Sequence, residues 1–297
     1  MLVPKVVEFI ERRLLSKKMS ANIETLPLDI TSSRLDVVRL VQVTDSHIFA
    51  DPDGCLLGLN TRESFEAVCD RVGREEWCPD ALLATGDLAQ DASPEAYKYL
   101  ADYFHQMNIP SFWIAGNHDN PDAMEMYLSN GRVSSVKHLL IGHWQVILLD
   151  SSVVGKVHGH LDDSQLEFLQ KSLARYKDKH ALVVLHHQPI DVGSYWLDNI
   201  GLKNNQIFKQ IISQHKNVKG VLWGHVHQEY DKTQNGVNWI ASPSSCVQFM
   251  PKSQDFAADT KAPGYRYLNL YSDGRIESVV HRIDNIEFTV DYSIKGY

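Results

Sequence analysis

The sequence predicts an α/β fold with largely parallel sheet order. Three observations lead there: short β-branched runs separated by amphipathic helical patterns, polar motifs directly after several of those runs, and a change to closely spaced strand-like segments after Gly236. Strands alternating with helices imply crossover connections and hence a parallel sheet.

Taken in chain order, residues 1–35 read as an N-terminal extension expected to be poorly ordered. Within it, Met1–Lys18 carries Lys5, Arg12, Arg13, Lys17 and Lys18 against two acidic residues, with Val3, Val6, Val7, Ile10 and Leu14 at helical spacing. That pattern fits a short basic amphipathic helix that touches a membrane or a partner. The preferred alternative is a segment preceding a start at Met19; no unbroken apolar core marks it as a signal peptide.

Residues 36–297 read as a single domain. Val37–Val43, Ala81–Ala84, Phe112–Ala115, Val146–Leu149, Ala181–Leu185 and Val218–Trp223 are apolar enough to be buried strands. Helices are expected from Asn60, with Glu63 at the capping-box position, from Ser93 with Pro94 as first helical residue, over about 162–176 and over about 204–214. A β-rich section of about 236–297 follows, with strands at Val237–Ala241, Tyr265–Tyr271, Ile276–His281 and Ile286–Val290.

Composition narrows the function. The chain has 297 residues, 43% of them hydrophobic, and a formal net charge of −8, which disfavours a protein that grips nucleic acid. No apolar stretch approaches the ~20 residues of a membrane span. Cys55, Cys69, Cys78 and Cys246 lack Cys-x-x-Cys spacing and read as reduced thiols of a cytoplasmic protein.

Five motifs carry metal-ligand chemistry: Asp45-Ser46-His47, Gly86-Asp87, Gly116-Asn117-His118-Asp119, His186-His187-Gln188-Pro189 and Gly224-His225-Val226-His227. Each follows an apolar run, so a parallel sheet would gather all five at the edge formed by its strand C-termini. On extended backbone, residues i and i+2 share a side, so Asp45/His47 and His225/His227 can each aim two ligands together. Carboxylates, imidazoles and one amide suit two hydrolytic cations, iron with iron, manganese or zinc, rather than one structural zinc. Two cations about 3.5–4 Å apart repel, and a shared carboxylate eases that repulsion; Asp87 is the candidate bridge. The cations outweigh the charge of Asp45 and Asp87, which turns the pocket of an acidic protein into an anion trap. His187 reads as a packing residue beside the ligands. His105, His138, His143, His180 and His215 read as surface or core-edge residues.

These motifs in this order resemble the calcineurin-like metallophosphoesterase superfamily, from about Leu26 onward. Thr44–Phe49, Ala84–Asp91, Ser194–Asp198 and Pro243–Phe249 are similar to its bacterial cyclic-nucleotide phosphodiesterases. The resemblance implies a sandwich of two mixed β-sheets flanked by helices. It implies Asp45, His47, Asp87 and His227 around one cation, and Asp87, Asn117, His186 and His225 around the other. It further implies hydrolysis of 3′,5′-cyclic AMP to 5′-AMP, with His118 protonating or hydrogen-bonding the departing 3′-oxygen. His47, Asp87, Asn117, His118 and His227 would line the substrate site, and Tyr195, Trp196 or Phe249 could stack on the base. In relatives an acidic residue three positions after the bridging Asp often steadies the catalytic histidine. Here that position is Gln90, which leaves Asp91 and Asp119 both open as partners of His118. The rival readings are another phosphodiester substrate (a nuclease or glycerophosphodiesterase) and a non-catalytic scaffold.

Overall fold

The computed structural model describes residues 25–28, 36–74 and 78–296. The first half of the chain supplies β1 (Thr25–Leu28), β2 (Val37–Val43), β3 (Cys55–Leu56), β4 (Leu59–Asn60), α1 (Thr61–Arg74), β5 (Ala81–Thr85) and α2 (Pro94–Gln106). Then come β6 (Ser111–Ile114), α3 (Pro121–Tyr127), β7 (Val133–Ser134), β8 (His138–Ile141) and β9 (Trp144–Leu148). The second half adds α4 (Asp163–Arg175), β10 (His180–Val184), α5 (Tyr195–Asp198), α6 (Asn205–Gln214), β11 (Val218–Trp223), β12 (Tyr230–Gln234) and β13 (Val237–Ala241). It ends with β14 (Gln248–Phe249), β15 (Ala258–Asp259), β16 (Gly264–Tyr271) and β17 (Ile276–Arg282).

Two mixed sheets form, seven strands in the order β1-β8-β9-β10-β11-β13-β12 and six in the order β17-β16-β2-β5-β6-β7. Because alternate residues face opposite ways, Leu40, Leu83 and Phe112 of one sheet meet Trp144, Val146, Leu182 and Ile240 of the other. Val41, Val43, Leu82 and Trp113 face α1, α2 and α3. Val183, Val221 and Trp239 face α4, α5 and α6. The result is a sandwich of helices, two mixed sheets, and helices.

The helix starts follow the expected capping. Ser93 Oγ accepts from the Ala96 N–H ahead of Pro94 in α2, and Asp162 caps α4. Asn60 Oδ1 accepts from the Glu63 N–H, and Phe65, Val68, Cys69 and Val72 form the buried stripe of α1. The Asn204 side chain instead exchanges bonds with the Leu161 backbone and ties α6 to the loop before α4.

Two expectations need correction. Thr25–Leu28 falls in the segment expected to be poorly ordered, yet it pairs parallel with β8, with Leu26 packed on the inter-sheet core. The Met1–Lys18 segment lies outside the described residues. Ile286–Val290 is not a strand. Its alternating apolar residues, Phe288 and Val290, pack on the core, but no strand lies alongside, and the backbone bond nearby runs from the Asp291 N–H to Leu57 O. The strands beyond Gly236 do not stand apart: β13 enters the seven-stranded sheet, and β16 pairs antiparallel with β2 in the other.

A polar pin crosses the inter-sheet layer. Arg266 on β16 is 1% exposed. Its guanidinium forks onto both Asp231 oxygens at 2.9 Å and donates to Ser278 Oγ, Ala241 O and Ser242 Oγ. Ser242 Oγ donates to the Gln42 side chain, whose amide reaches Thr85 Oγ1 (2.7 Å) and Trp223 O (3.2 Å). All five guanidinium N–H groups are thus used.

Arg266→Ala should cost roughly 2–4 kcal/mol in urea unfolding, through the void and the stranded Ala241 and Ser242 oxygens. Asp231 is half exposed and regains water, so its carboxylate contributes little to that loss. A loss under about 1 kcal/mol would mean that water replaces the pin.

Candidate metal centre

The five motifs sit at the C-terminal ends of β2, β5 and β6 in one sheet and β10 and β11 in the other. The structure brings Asp45 and His47 into one donor group but divides His225 and His227 between two, so the i, i+2 expectation meets only the first pair. The paired residues are not extended: Asp45 (φ 54°), His47 (φ 49°), Asp87 (φ 48°), His225 (φ 64°) and His227 (φ 48°) all occupy the left-handed region. Such residues cost about 1–3 kcal/mol each and persist only where the surroundings impose them. Here the kinked ends brace one another. Asp45 N–H donates to Gly86 O, His47 N–H to Asp87 O and Gly224 N–H to His186 O, at 3.0–3.1 Å. Gly86 is required twice over, by its φ of 96° and because a Cβ there would strike the His186 ring. A Cβ on Gly116 would fall on the Asp87 carboxylate.

Two clusters of donor atoms result. In the first, His47 Nε2 lies 3.2 Å from His227 Nε2, and Asp45 Oδ1 lies 3.4 Å from the same His227 nitrogen. In the second, His186 Nε2 lies 3.2 Å from Asp87 Oδ2 and 3.9 Å from Asp45 Oδ1. Donor atoms within 4.8 Å of one another group Asp45 with His47 and His227, His47 with Asp87 and His118, Asp45 with Asp87 and His186, and His186 with His187 and His225. Asp87 is thus shared between groups, as is Asp45.

Three of the imidazoles, those of His47, His186 and His227, are aimed from behind. His186 Nδ1–H donates to Thr85 O (2.8 Å), His227 Nδ1–H to Val247 O (2.8 Å) and His47 Nδ1–H to Gln90 Oε1 (2.5 Å). With Nδ1 as the donor, the neutral form of each ring carries its lone pair at Nε2, turned toward the cluster. Phe249 lies flat on His227, with centroids 4.0 Å apart and planes at 6°, and is flanked by Trp196 and Phe256. That removes Phe249 from the residues expected to stack on a base: it is buried and holds His227. Tyr195 is 61% exposed.

The electrostatics call for positive charge. Burial would raise Asp45 and Asp87, but His227 and His186 beside Asp45, and His186 and His118 beside Asp87, hold both below the usual carboxylate range. Burial works against protonated His186, yet the adjacent Asp87 and Asp45 push its pKa up to about 9. Burial pushes His47 down to about 3 and His225 well below the ordinary histidine value. Asp87 Oδ2, Asn117 Oδ1, His186 Nε2 and both ring nitrogens of His225 are buried without a hydrogen-bond partner. Buried polar atoms are rarely left so. A buried convergence of this many acceptor and imidazole atoms beside two carboxylates fits cations.

Several neighbours are accounted for otherwise. Both His187 nitrogens are bonded, to Ser151 Oγ and Val157 O. Asp119 accepts from the Leu88, Ala89 and Gly116 N–H groups and from Tyr97 Oη–H. That fills its lone pairs and makes it a clamp between strand ends; burial and nearby Asp87 push its pKa up to about 6. Asp91 accepts from the Ala50 and Ser93 N–H groups. Both carboxylates are therefore committed to backbone, and Gln90 serves His47. His118 sits beside the cluster, its N–H donating to Asp87 Oδ1 (2.8 Å) and its ring edge-on to His47 at 5.0 Å. His138, expected at the surface or the core edge, is fully buried and bonded to Gln145. Sequence reasoning missed Gln90 as an orienting group, along with Thr85 and Val247.

Residues 38–229 match the calcineurin-like phosphoesterase family. The chain belongs to that family. It is 42% identical over 260 residues, covering 88% of this chain and 95% of the relative, to a Pseudomonas aeruginosa protein named 3′,5′-cyclic adenosine monophosphate phosphodiesterase CpdA. It is 40% identical over 248 residues, 83% of this chain and 92% of the relative, to a Nostoc 3′,5′-cyclic-nucleotide phosphodiesterase. Among solved structures, a dimetal phosphatase from Danio rerio has the same fold, with a TM-score of 0.58 and 17% identity over 83% of this chain and 99% of that one. GAP50, described as an anchor in the inner membrane complex of Plasmodium, also shares it, with a TM-score of 0.56 and 14% identity over 83% of this chain and 88% of that one. The metallophosphoesterase fold thus hosts both a phosphatase and an anchor, and the donor cluster, rather than the fold, bears on activity.

The left-handed backbone gives a direct test. His225→Gly and His225→Ala both remove the imidazole, but glycine relieves the strain at φ 64°. The metal-free Gly variant should be the more stable of the two by about 1 kcal/mol in denaturant unfolding. Equal midpoints would mean that the backbone relaxes once the ring is gone.

Proposed function

We propose that this chain hydrolyses 3′,5′-cyclic AMP to 5′-AMP at a dinuclear centre. The clustering of Asp45, His47, Asp87, His186, His225 and His227 in a chain 42% identical, over 88% of its length, to a protein named for that activity carries the reading. Asp45, His47, Asp87 and His227 would hold one cation and Asp87, Asn117, His186 and His225 the other. The partnerless atoms fall on four of these residues, Asp87, Asn117, His186 and His225. The carboxylate, amide and imidazole donors suit iron with iron, manganese or zinc. When bound, such cations supply Lewis acidity and an activated water near neutral pH.

The chain's own residues do the rest. The cyclic phosphate would lie over His47, Asp87, Asn117, His118 and His227, with the water in line with the P–O3′ bond. A new P–O bond forms from the water oxygen as the P–O3′ bond breaks. His118 would give its ring proton to O3′, a poor leaving group as the alkoxide. The described part of the chain contains no disulfide, which suits a reducing cytoplasm. Among the described residues no helix is long and apolar enough to cross a membrane.

A substrate panel separates the readings. Cyclic AMP should turn over well above cyclic GMP, glycerophosphodiesters and single-stranded DNA. Preference for one of the latter would move the activity to another phosphodiester, and no turnover by the metal-loaded chain would favour a scaffold. Asp87→Ala should lose both cations and all turnover, since it is the shared ligand; full occupancy of both sites in the folded variant, measured by elemental analysis, would sink the bridge.

His118→Ala should cut cyclic AMP hydrolysis by about 10²–10⁴-fold, with metal content unchanged. Hydrolysis of bis(p-nitrophenyl) phosphate should fall much less, because nitrophenolate leaves readily as the anion. Equal losses on both substrates would point to phosphate positioning instead.

A further inference from the structure

We propose that Gln90 is a positioning residue that fixes the tautomer of His47 and so sets the affinity of one cation site independently of the other. The inference rests on the dinuclear reading above. Three imidazoles of the centre are aimed through Nδ1, but their acceptors differ in kind. His186 and His227 donate to the backbone carbonyls of Thr85 and Val247, whereas His47 donates to the side chain of Gln90. Of the three bonds, this is the one a side-chain substitution can remove.

The placement of Gln90 is built into the fold. Ile48 N–H donates to Leu88 O, and Gln90 N–H returns a bond to Ile48 O at 2.9 Å. The segment after Asp87 is therefore stitched to the residue following His47, and the Gln90 side chain starts one residue from the ring it holds. The acidic residues beside it are occupied elsewhere, Asp91 with the Ala50 and Ser93 N–H groups and Asp119 with the Leu88, Ala89 and Gly116 N–H groups.

The chemistry of the acceptor follows from what it faces. With Nδ1–H committed to an amide oxygen, His47 Nε2 presents its lone pair toward His227 Nε2 at 3.2 Å. An acceptor behind a ligating histidine fixes ring orientation and raises its basicity. A neutral amide does the first fully and the second weakly. A carboxylate there would add a third negative charge to a buried site already holding Asp45 and Asp87, tightening the cation while lowering its power to polarise. Gln90 thus holds the ring without saturating the charge of the cation beside it.

The test titrates Mn²⁺ into metal-stripped full-length wild type, Gln90→Ala and Gln90→Glu by calorimetry, with thermal midpoints of the metal-free proteins alongside. Wild type should take up two equivalents. Gln90→Ala should keep one site at wild-type affinity and weaken the other by about 10–100-fold, with an unchanged metal-free midpoint. Gln90→Glu should bind at that site at least as tightly as wild type. The proposal is overturned if Gln90→Ala binds both equivalents as wild type does, if both sites weaken together with a lowered metal-free midpoint, or if Gln90→Glu is as poor as the Ala variant. A wild-type chain that binds fewer than two equivalents would instead overturn the dinuclear reading, and this inference with it.

Discussion

Two buried carboxylates set the problem that the rest of the structure answers. Asp45 and Asp87 are fully buried at adjacent strand ends, each within 4 Å of the same His186 nitrogen. Like charges this close in a low-dielectric interior repel by several kcal/mol unless positive charge sits between them. Without a cation, the protein answers with a proton on His186, whose pKa rises to about 9. In the proposed assignment two cations replace that proton, and each draws ligands from both sheets: His227, His186 and His225 from the seven-stranded sheet, Asp45, His47, Asp87 and Asn117 from the other. The centre then joins the two layers at one end, while the Arg266–Ser242–Gln42 pin joins them lower down.

The same demand explains the backbone. Five donors in left-handed conformations, together with glycines that leave no room for a Cβ, make a local structure that propensity alone would not choose. It is held by bonds between neighbouring strand ends and by the Asp119 clamp, which gathers N–H groups from the Asp87 and Asn117 motifs into one carboxylate. Strain distributed this way would fix the donor positions of the proposed centre before any cation arrives, leaving little ordering entropy to be lost on binding.

What the sequence revealed follows from how local each feature is. Buried parallel strands read as continuous apolar runs, so β2, β5, β10 and β11 were legible, and the motifs ending them named the donor residues. Ile286–Val290 misled because alternation reports packing on two sides, not the presence of a partner strand. β1 was invisible because four residues carry no period. Within the site, residue identity was legible but conformation was not: an i, i+2 pair looks the same on extended or left-handed backbone. The roles of Gln90, Val247 and Phe249 were hidden because each depends on a histidine brought close only by folding. For Phe249 the residue type even suggested the wrong partner, since an aromatic serves a base or an imidazole equally well.

The charge balance closes the argument about substrate. A chain of net charge −8 repels anions at long range, so its attraction for a phosphodiester must be local. The carboxylates in the donor set, Asp45 and Asp87, carry less charge than two cations bring, and the remaining donors, Asn117, His47, His186, His225 and His227, are neutral when ligating. In the proposed assignment, neutral donors for five of seven ligands would leave the centre with surplus positive charge, and a neutral Gln90 behind His47 would preserve it. An extended polyanion would meet that surplus at one point and a chain of net negative charge beyond it. A small monoanion such as a cyclic phosphodiester meets only the centre. Under the proposed assignment, that contrast would favour a small monoanion before any contact with the base.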